Sequence, residues 1–253
     1  MQRVKMTISY DGASFCGFQR QGESEKLPSV QESVEGALFT LTGEKISVLG
    51  SGRTDAGVHA LGQVCHFDLT ENPNIKEKNI IRALNTFLPD SVKVSDVEFV
   101  SSDFHAIRSA KKKSYFYDLY ISNTPIPPLD SHALNINEKV DIEKMKECAK
   151  LFIGSHDFTA FRAKHSSAKT TTRQVFNCRF ESISFYNTPA LRFHISADGF
   201  LYKMVRIIIG TLIRVGEGNL KIEEVNRLLN DSKEWLAKVP APPNGLFLEK
   251  VEY

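Results

Sequence analysis

Gly50-Ser51-Gly52-Arg53-Thr54-Asp55-Ala56-Gly57-Val58-His59-Ala60-Leu61-Gly62-Gln63-Val64 joins two apolar patterns that read as strands, residues 46–49 before it and 63–67 after it. Four glycines fall within these fifteen residues, with an arginine and an aspartate two apart among them. Glycine opens backbone conformations closed to other residues and admits close approach, at a cost in chain entropy. The segment therefore reads as a tight loop between two strands that presents Asp55 and Arg53. A plain surface hairpin would use the same residue types for capping and pairing.

Outward from this loop the periodicity sets the fold. Upstream, Val4, Met6, Ile8 and Tyr10 alternate as in a strand. A polar, aromatic loop follows, with Phe15, Gly17, Phe18, Gln19, Arg20 and Gln21. Val30, Val34, Ala37, Leu38 and Leu41 then recur at helical spacing, and Ser29 with Glu32 has capping-box form. Downstream, Asn74 and Glu77 could open a second helix carrying Ile80, Ile81, Leu84, Phe87 and Leu88, and Val92, Val94, Val97 and Phe99 make a strand. The order is β-α-β-β-α-β, the split βαβ pattern of ferredoxin-like domains.

The second half repeats the pattern with one extra helix. Its expected elements are a strand over 114–121, a helix through Ile142, Met145, Ala149 and Phe152, and a strand pair over 173–185 and 190–197 turning at 187–189. A helix from Leu201 through Leu212, a short helix over 222–229 and a closing strand with Leu246, Leu248 and Val251 complete it. Residues 124–137 read as a proline-containing turn and linker. Asp103-Phe104-His105-Ala106-Ile107-Arg108 also resembles Asp157-Phe158-Thr159-Ala160-Phe161-Arg162. The fold class expected is α/β (α+β): two pseudo-duplicated ferredoxin-like halves, 1–103 and 104–253, with antiparallel sheets flanking a central basic cleft.

The 253 residues carry 32 basic and 30 acidic side chains, a net charge of +2, so no globally basic nucleic-acid binder is indicated. The distribution is more telling. Arg108, Lys111, Lys112 and Lys113 cluster without an acid, and so do Arg162, Lys164, Lys169 and Arg173; such local faces can bind a polyanion. No stretch reaches membrane-span length, and a strand pattern begins at Val4, which leaves no room for a signal peptide; a cytoplasmic location is expected. Cys16, Cys65, Cys148 and Cys178 lack paired spacing and fit reduced core thiols.

Asp55 leads the candidates for chemistry, as nucleophile or base. His59 follows it by four residues, but no third ligand with diagnostic spacing appears, so no metal site is expected. An ionised carboxylate needs a cationic neighbour, for which Arg53 and Arg206 are available. Arg206 sits in an otherwise apolar helix and should be paired there. Tyr115 and Tyr117 share a strand face beside Lys111, Lys112 and Lys113, an arrangement suited to nucleobases and phosphates, although a core role for one tyrosine is as natural.

Residues 51–60 resemble the signature of the TruA family of tRNA pseudouridine synthases. The likeness extends to Tyr10-Asp11-Gly12 with Phe15-Cys16-Gly17-Phe18-Gln19, then Phe104-His105-Ala106, Tyr115-Phe116-Tyr117 and His156-Asp157-Phe158. It continues through Phe200-Leu201 with Met204-Val205-Arg206, Gly210 with Val215-Gly216, and Ala241-Pro242 with Gly245-Leu246. The resemblance implies a homodimer, without metal or organic cofactor, that isomerises uridine to pseudouridine at positions 38, 39 and 40 of the tRNA anticodon arm. It makes Asp55 the essential aspartate, Tyr115 the tyrosine that stacks on the base, and Arg206 the arginine paired with the aspartate. Arg53 would contact the flipped nucleotide and Leu246 would line its pocket. The remaining expected tRNA contacts are Phe18, Gln19, Arg20, His59, His105, Arg108, Lys111, Lys112, Lys113 and Arg162. One departure is that the arginine of the usual Phe-His-Ala-Arg phrase stands one place later, at Arg108, which on a strand would reverse its face. Two competing classes are a non-catalytic RNA-binding or folding-assistant protein and a nucleoside hydrolase or base-exchange enzyme.

Overall fold

The computed structural model describes residues 1–21, 26–70, 76–164, 168–230 and 239–253. They form two compact units: Met1–Lys111 with Phe247–Tyr253, and Lys112–Leu246. The sequence reading divides the chain at 103/104; in the structure the closing strand gathers with the first unit from Phe247 onward.

The first unit contains β1 (Gln2–Tyr10), α1 (Val30–Thr42), β2 (Leu49–Gly50), β3 (His59–Leu69), α2 (Glu77–Phe87) and β4 (Val92–Val100). β1 lies antiparallel between β3 and β4, with Val4 opposite Phe67 and Phe99. β2 pairs antiparallel with β3 at His66 and Cys65, giving the β4-β1-β3-β2 order of a split βαβ domain. Val4, Met6 and Ile8 are fully buried, as their alternation requires. Ser29 and Glu32 form the reciprocal capping box of α1, and Gly43 ends that helix at φ 75° in the left-handed region. α2 starts after Lys76 with no side-chain cap, and Asn74 lies outside the described residues. The strand expected over 46–49 shrinks to Leu49–Gly50. The reason is local: α1 side chains take the backbone groups of Val48, Glu35 Oε1 accepting its N–H at 3.0 Å and Gln31 Nε2 donating to its carbonyl at 3.2 Å.

The second unit contains β5 (Lys112–Ile121), α3 (Pro127–Asp130), β6 (Leu134–Ile136), α4 (Ile142–Ala149), β7 (Gly154–Asp157), β8 (Thr172–Phe185), β9 (Thr188–Ala197), α5 (Met204–Gly216) and α6 (Ile222–Asn230). β10 (Leu246–Glu252) follows, running parallel to β3 at His59 and Ala60 within the first unit. β9 lies antiparallel between β5 and β8. The β8–β9 hairpin turns at Tyr186 and Asn187, both at positive φ, so Thr188 and Pro189 already belong to β9. The expected linker at 124–137 is partly ordered as α3 and β6. α5 begins at Met204 and not Leu201, because Lys203 adopts a left-handed backbone at φ 58° and interrupts the helical run. The two similar phrases are not equivalent in the topology: residues 103–108 follow β4, whereas 157–162 follow β7, between α4 and β8. The phrase therefore lends the expected duplication no support.

Gly210 of α5 illustrates how packing constrains this unit. A Cβ there would lie 2.2 Å from the carbonyl oxygen of Val239, in a segment that also donates Ala241 N–H to Arg206 O at 2.8 Å. Gly36 in α1 has nothing within 4 Å of such a Cβ. G210A is expected to lower unfolding free energy by about 1–3 kcal/mol through overpacking, while G36A raises it by about 0.5–1 kcal/mol through helix propensity. Urea denaturation checks both signs, and a stabilised G210A would contradict the close approach of Val239 O to Gly210.

Candidate active site

In the first unit the loop leading to Asp55 is fixed from beneath by side chains of β1 and β3. Gln63 is fully buried; its Nε2 donates to Gly52 O at 2.9 Å and its Oε1 accepts from Ser51 Oγ at 2.6 Å. Ser51 N–H donates to Val64 O at 2.7 Å. Three residues on, Thr54 Oγ1 meets Tyr10 Oη at 2.8 Å. Ser51 and Thr54 are buried, Arg53 between them is exposed, and Asp55 is half-buried. Inward anchors thus alternate with the two groups suited to chemistry.

Beyond Thr54 the backbone takes over. Thr54 O accepts from Phe18 N–H at 3.1 Å, and Asp55 forms a bridge with Gly17. Gly17 has φ 121°, and a Cβ on it would stand 2.8 Å from Thr54 O. Gly57, at φ 76°, donates its N–H to Gly12 O at 3.2 Å, and Val58 N–H returns to Asp55 O at 3.1 Å. A Cβ on Gly12 would lie 2.1 Å from Val58 O. The glycines of the segment itself accommodate the protein's own chain: a Cβ on Gly50 would meet the Phe18 ring at 2.4 Å, and one on Gly62 would meet Glu249 O at 2.5 Å.

Several expected substrate contacts take other positions. Phe18 is buried over Gly50 and packs near Tyr10, so it supports the loop and offers no aromatic surface. His59 is buried and stacks on Phe247 with ring centroids 4.6 Å apart. Its Nδ1 lies 3.1 Å from both Gly12 N and Asp11 Oδ1; the neutral ring accepts from Gly12, and a proton at Nδ1 would turn that atom toward Asp11. Gln19 and Arg20 are exposed, but Arg20 is engaged by Glu35 and lies 3.7 Å from Glu32.

The segment 104–109 forms turns and not a strand, so the shift of arginine to Arg108 does not invert a strand face; Arg108 is exposed. Imidazoles hold this segment as acceptors. His66 Nδ1 accepts Ala106 N–H at 3.2 Å, and His105 Nδ1 accepts the N–H groups of Ile107 at 3.2 Å and Arg108 at 3.4 Å. Tyr253 donates its hydroxyl to Ala106 O at 2.9 Å, and Arg3, paired bidentately with Asp68, donates to Phe104 O at 2.9 Å. Burial, then the Arg3 charge, holds His66 below its ordinary pKa. For His105 burial comes first and Arg108 second.

In the second unit Tyr115 and Tyr117 lie on one face of β5. Tyr117 is the core member: it is fully buried and donates its hydroxyl to Pro242 O at 2.8 Å, with its ring against Gly245. Burial pushes its phenol up in pKa, opposed by the Arg206 charge. Tyr115 packs edge-on against Phe200 at 5.1 Å. Arg206 is half-buried, its Nε donating to Ala241 O at 2.8 Å. Leu246 is buried, and Arg162 is half-buried. Lys111 is exposed, whereas Lys112 and Lys113 are half-buried; burial lowers the pKa of Lys113. Arg53, Asp55, Phe18, His59 and the 104–109 turn thus belong to the first unit, and Tyr115, Arg162, Arg206 and Leu246 to the second.

The sequence reading passed over Gln63 and Tyr10 as supports. An available signal was an amide in a strand of otherwise largely apolar residues, since a buried amide demands hydrogen-bond partners.

The profile of a family described as tRNA pseudouridine synthase matches residues 6–107 and 148–253. The chain is 40% identical to tRNA pseudouridine synthase A of Acetivibrio thermocellus and 42% identical to the protein of the same name from Clostridium botulinum strain Alaska E43. Both matches run over 253 residues and cover 100% of each chain. A solved structure of an unknown protein from Galdieria sulphuraria aligns with 86% of this chain and 93% of its own, at 13% identity and a TM-score of 0.21, too low to carry an argument.

The histidine acceptors give a pH dependence. With the folded pKa values depressed, the unfolded chain binds protons first as pH falls through the ordinary value of 6.5. The folded state is therefore destabilised progressively below that pH. His66→Gln keeps an acceptor for Ala106 and removes one titration. Its urea midpoint should fall less than that of the wild type between about pH 8 and about pH 5; equal falls would contradict the assignment.

Proposed function

The chain belongs to the tRNA pseudouridine synthase family, and on that premise we propose that Asp55 is the carboxylate through which it acts on uridines 38, 39 and 40 of the tRNA anticodon arm. The family activity is an isomerisation of uridine to pseudouridine in tRNA. The observation that carries the residue assignment is the half-buried Asp55, held on a framed loop one residue beyond buried Thr54 and two beyond exposed Arg53.

The reaction needs no net redox change. The C1′–N1 bond breaks, the uracil turns, and C5 bonds to C1′; C5 then loses its proton and N1 gains one. Asp55 in its ionised form either adds at C1′ or promotes loss of the C2′ proton. Arg53 is proposed to hold the extruded nucleotide by its backbone, which offsets part of the few kcal/mol that unstacking costs. Tyr115 is proposed to stack on the base and Arg206 to supply the cation that keeps the reacting carboxylate ionised, with Leu246 as pocket lining. Exposed Lys111 and Arg108 supply cationic contacts to phosphates. A homodimer and a cytoplasmic location are part of the same proposal; among the described residues no helix is long and apolar enough to cross a membrane.

Unmodified tRNA tritiated at uridine C5 tests the assignment. Wild-type protein should release tritium to water, and Asp55→Asn should slow release by at least about 100-fold while remaining folded. Release by Asp55→Asn at the wild-type rate would remove Asp55 from the chemistry.

A further inference from the structure

We infer that Gln63 is a positioning residue for the reaction, because its buried amide is the root of a directional hydrogen-bond chain that fixes the loop on both sides of Arg53. The inference rests on the role given to Asp55 above and adds how that carboxylate is held.

The orientation of the amide is determined by chemistry. Gly52 O can only accept, so Nε2 must face it, at 2.9 Å, and Oε1 is left to receive Ser51 Oγ–H at 2.6 Å. The second Nε2 hydrogen lies toward Tyr10 Oη at 3.5 Å, at the limit of a hydrogen bond. Tyr10 Oη in turn meets Thr54 Oγ1 at 2.8 Å, a hydrogen bond in which either hydroxyl can donate. One side chain on β3 therefore contacts residues 51 and 52 directly and residue 54 through Tyr10.

The side chains of Gln63, Ser51, Tyr10 and Thr54 are buried and Gly52 is half-buried, so bulk water is a poor replacement for a lost partner, and a missing donor is relieved chiefly by movement of the loop. The loop backbone at Gly52 and Thr54 flanks Arg53 and leads directly into Asp55. A displacement of about 1 Å at a reacting group costs on the order of 100-fold in rate. Gln63 touches no substrate in this account, so its removal should appear in turnover and not in tRNA affinity.

The test is kinetic, using full-length protein and tRNA tritiated at uridine C5. Gln63→Leu should lower kcat by about 10- to 100-fold and leave KM within about threefold. Gln63→Glu separates positioning from general destabilisation. Its protonated carboxyl retains one donor for Gly52 and one acceptor for Ser51, and ionisation removes the donor. The ratio of its kcat to wild type should therefore rise as pH is lowered toward about 5.5, where a buried carboxyl is protonated. Tyr10→Phe removes the relay to Thr54 and leaves the Gln63 bonds to Ser51 and Gly52, so it should lower kcat less than Gln63→Leu does; it keeps the question answerable if Gln63→Leu does not fold. A folded Gln63→Leu with wild-type kcat, or a pH-independent ratio for Gln63→Glu, overturns the inference. If Asp55→Asn is inactive in the same assay, that failure belongs to Gln63 alone; if Asp55→Asn is active, the assignment of Asp55 has failed and this inference with it.

Discussion

A glutamine amide buried in β3 sets the conditions for the rest of the first unit. Leaving any of its hydrogen-bonding atoms unpaired would cost about 1–3 kcal/mol, so Ser51 and Gly52 must come to it, and Tyr10 must stand close by. Once they do, the loop has little freedom left. Gly12 and Gly17 press against the backbone at Val58 and Thr54, and Gly57 supplies the left-handed turn that brings the chain back into β3. Asp55 is then half-buried, beside Thr54, whose side chain is committed to the interior. Such a frame suits the role proposed for Asp55, since fixed geometry lowers the reorganisation left to a reaction.

The elements legible in the sequence were those with strong local periodicity. The alternation of β1, the capping box of α1 and the apolar face of α5 each depend on residues a few positions apart, and each is present. Positions decided by distant partners were not legible. Residues 46–48 look like a strand, yet α1 side chains claim Val48; Lys203 looks helical, yet its backbone is left-handed. The glycines show the same limit. Their density marks Asp55, but nothing local reveals that Gly50 makes room for Phe18 and Gly62 for Glu249. Asp55 was visible through residue type and spacing. Gln63 was not, because its partners are defined only when β3 pairs with β2, which brings in Ser51 and Gly52, and with β1, which brings in Tyr10.

Charge behaves similarly. A near-neutral sum conceals which cations are already engaged. Arg3 is held by Asp68 and Arg20 by Glu35, whereas Arg53, Arg108 and Lys111 are exposed. Sequence clustering marks the 108–113 segment as basic, but only the fold distinguishes a side chain neutralised by a carboxylate from one facing solvent. The 104–109 turn adds a second constraint, since its amides are held by neutral imidazoles.

The central claim is that the Asp55 loop is formed by its own buried frame in the absence of RNA. Amide hydrogen exchange on the free protein measures this directly. The N–H groups of Ser51, Gly57 and Val58, bonded to Val64 O, Gly12 O and Asp55 O, should be protected to a degree comparable with the amides of β1. Exchange of those three amides at the rate of an unstructured chain, with β1 still protected, would contradict the account.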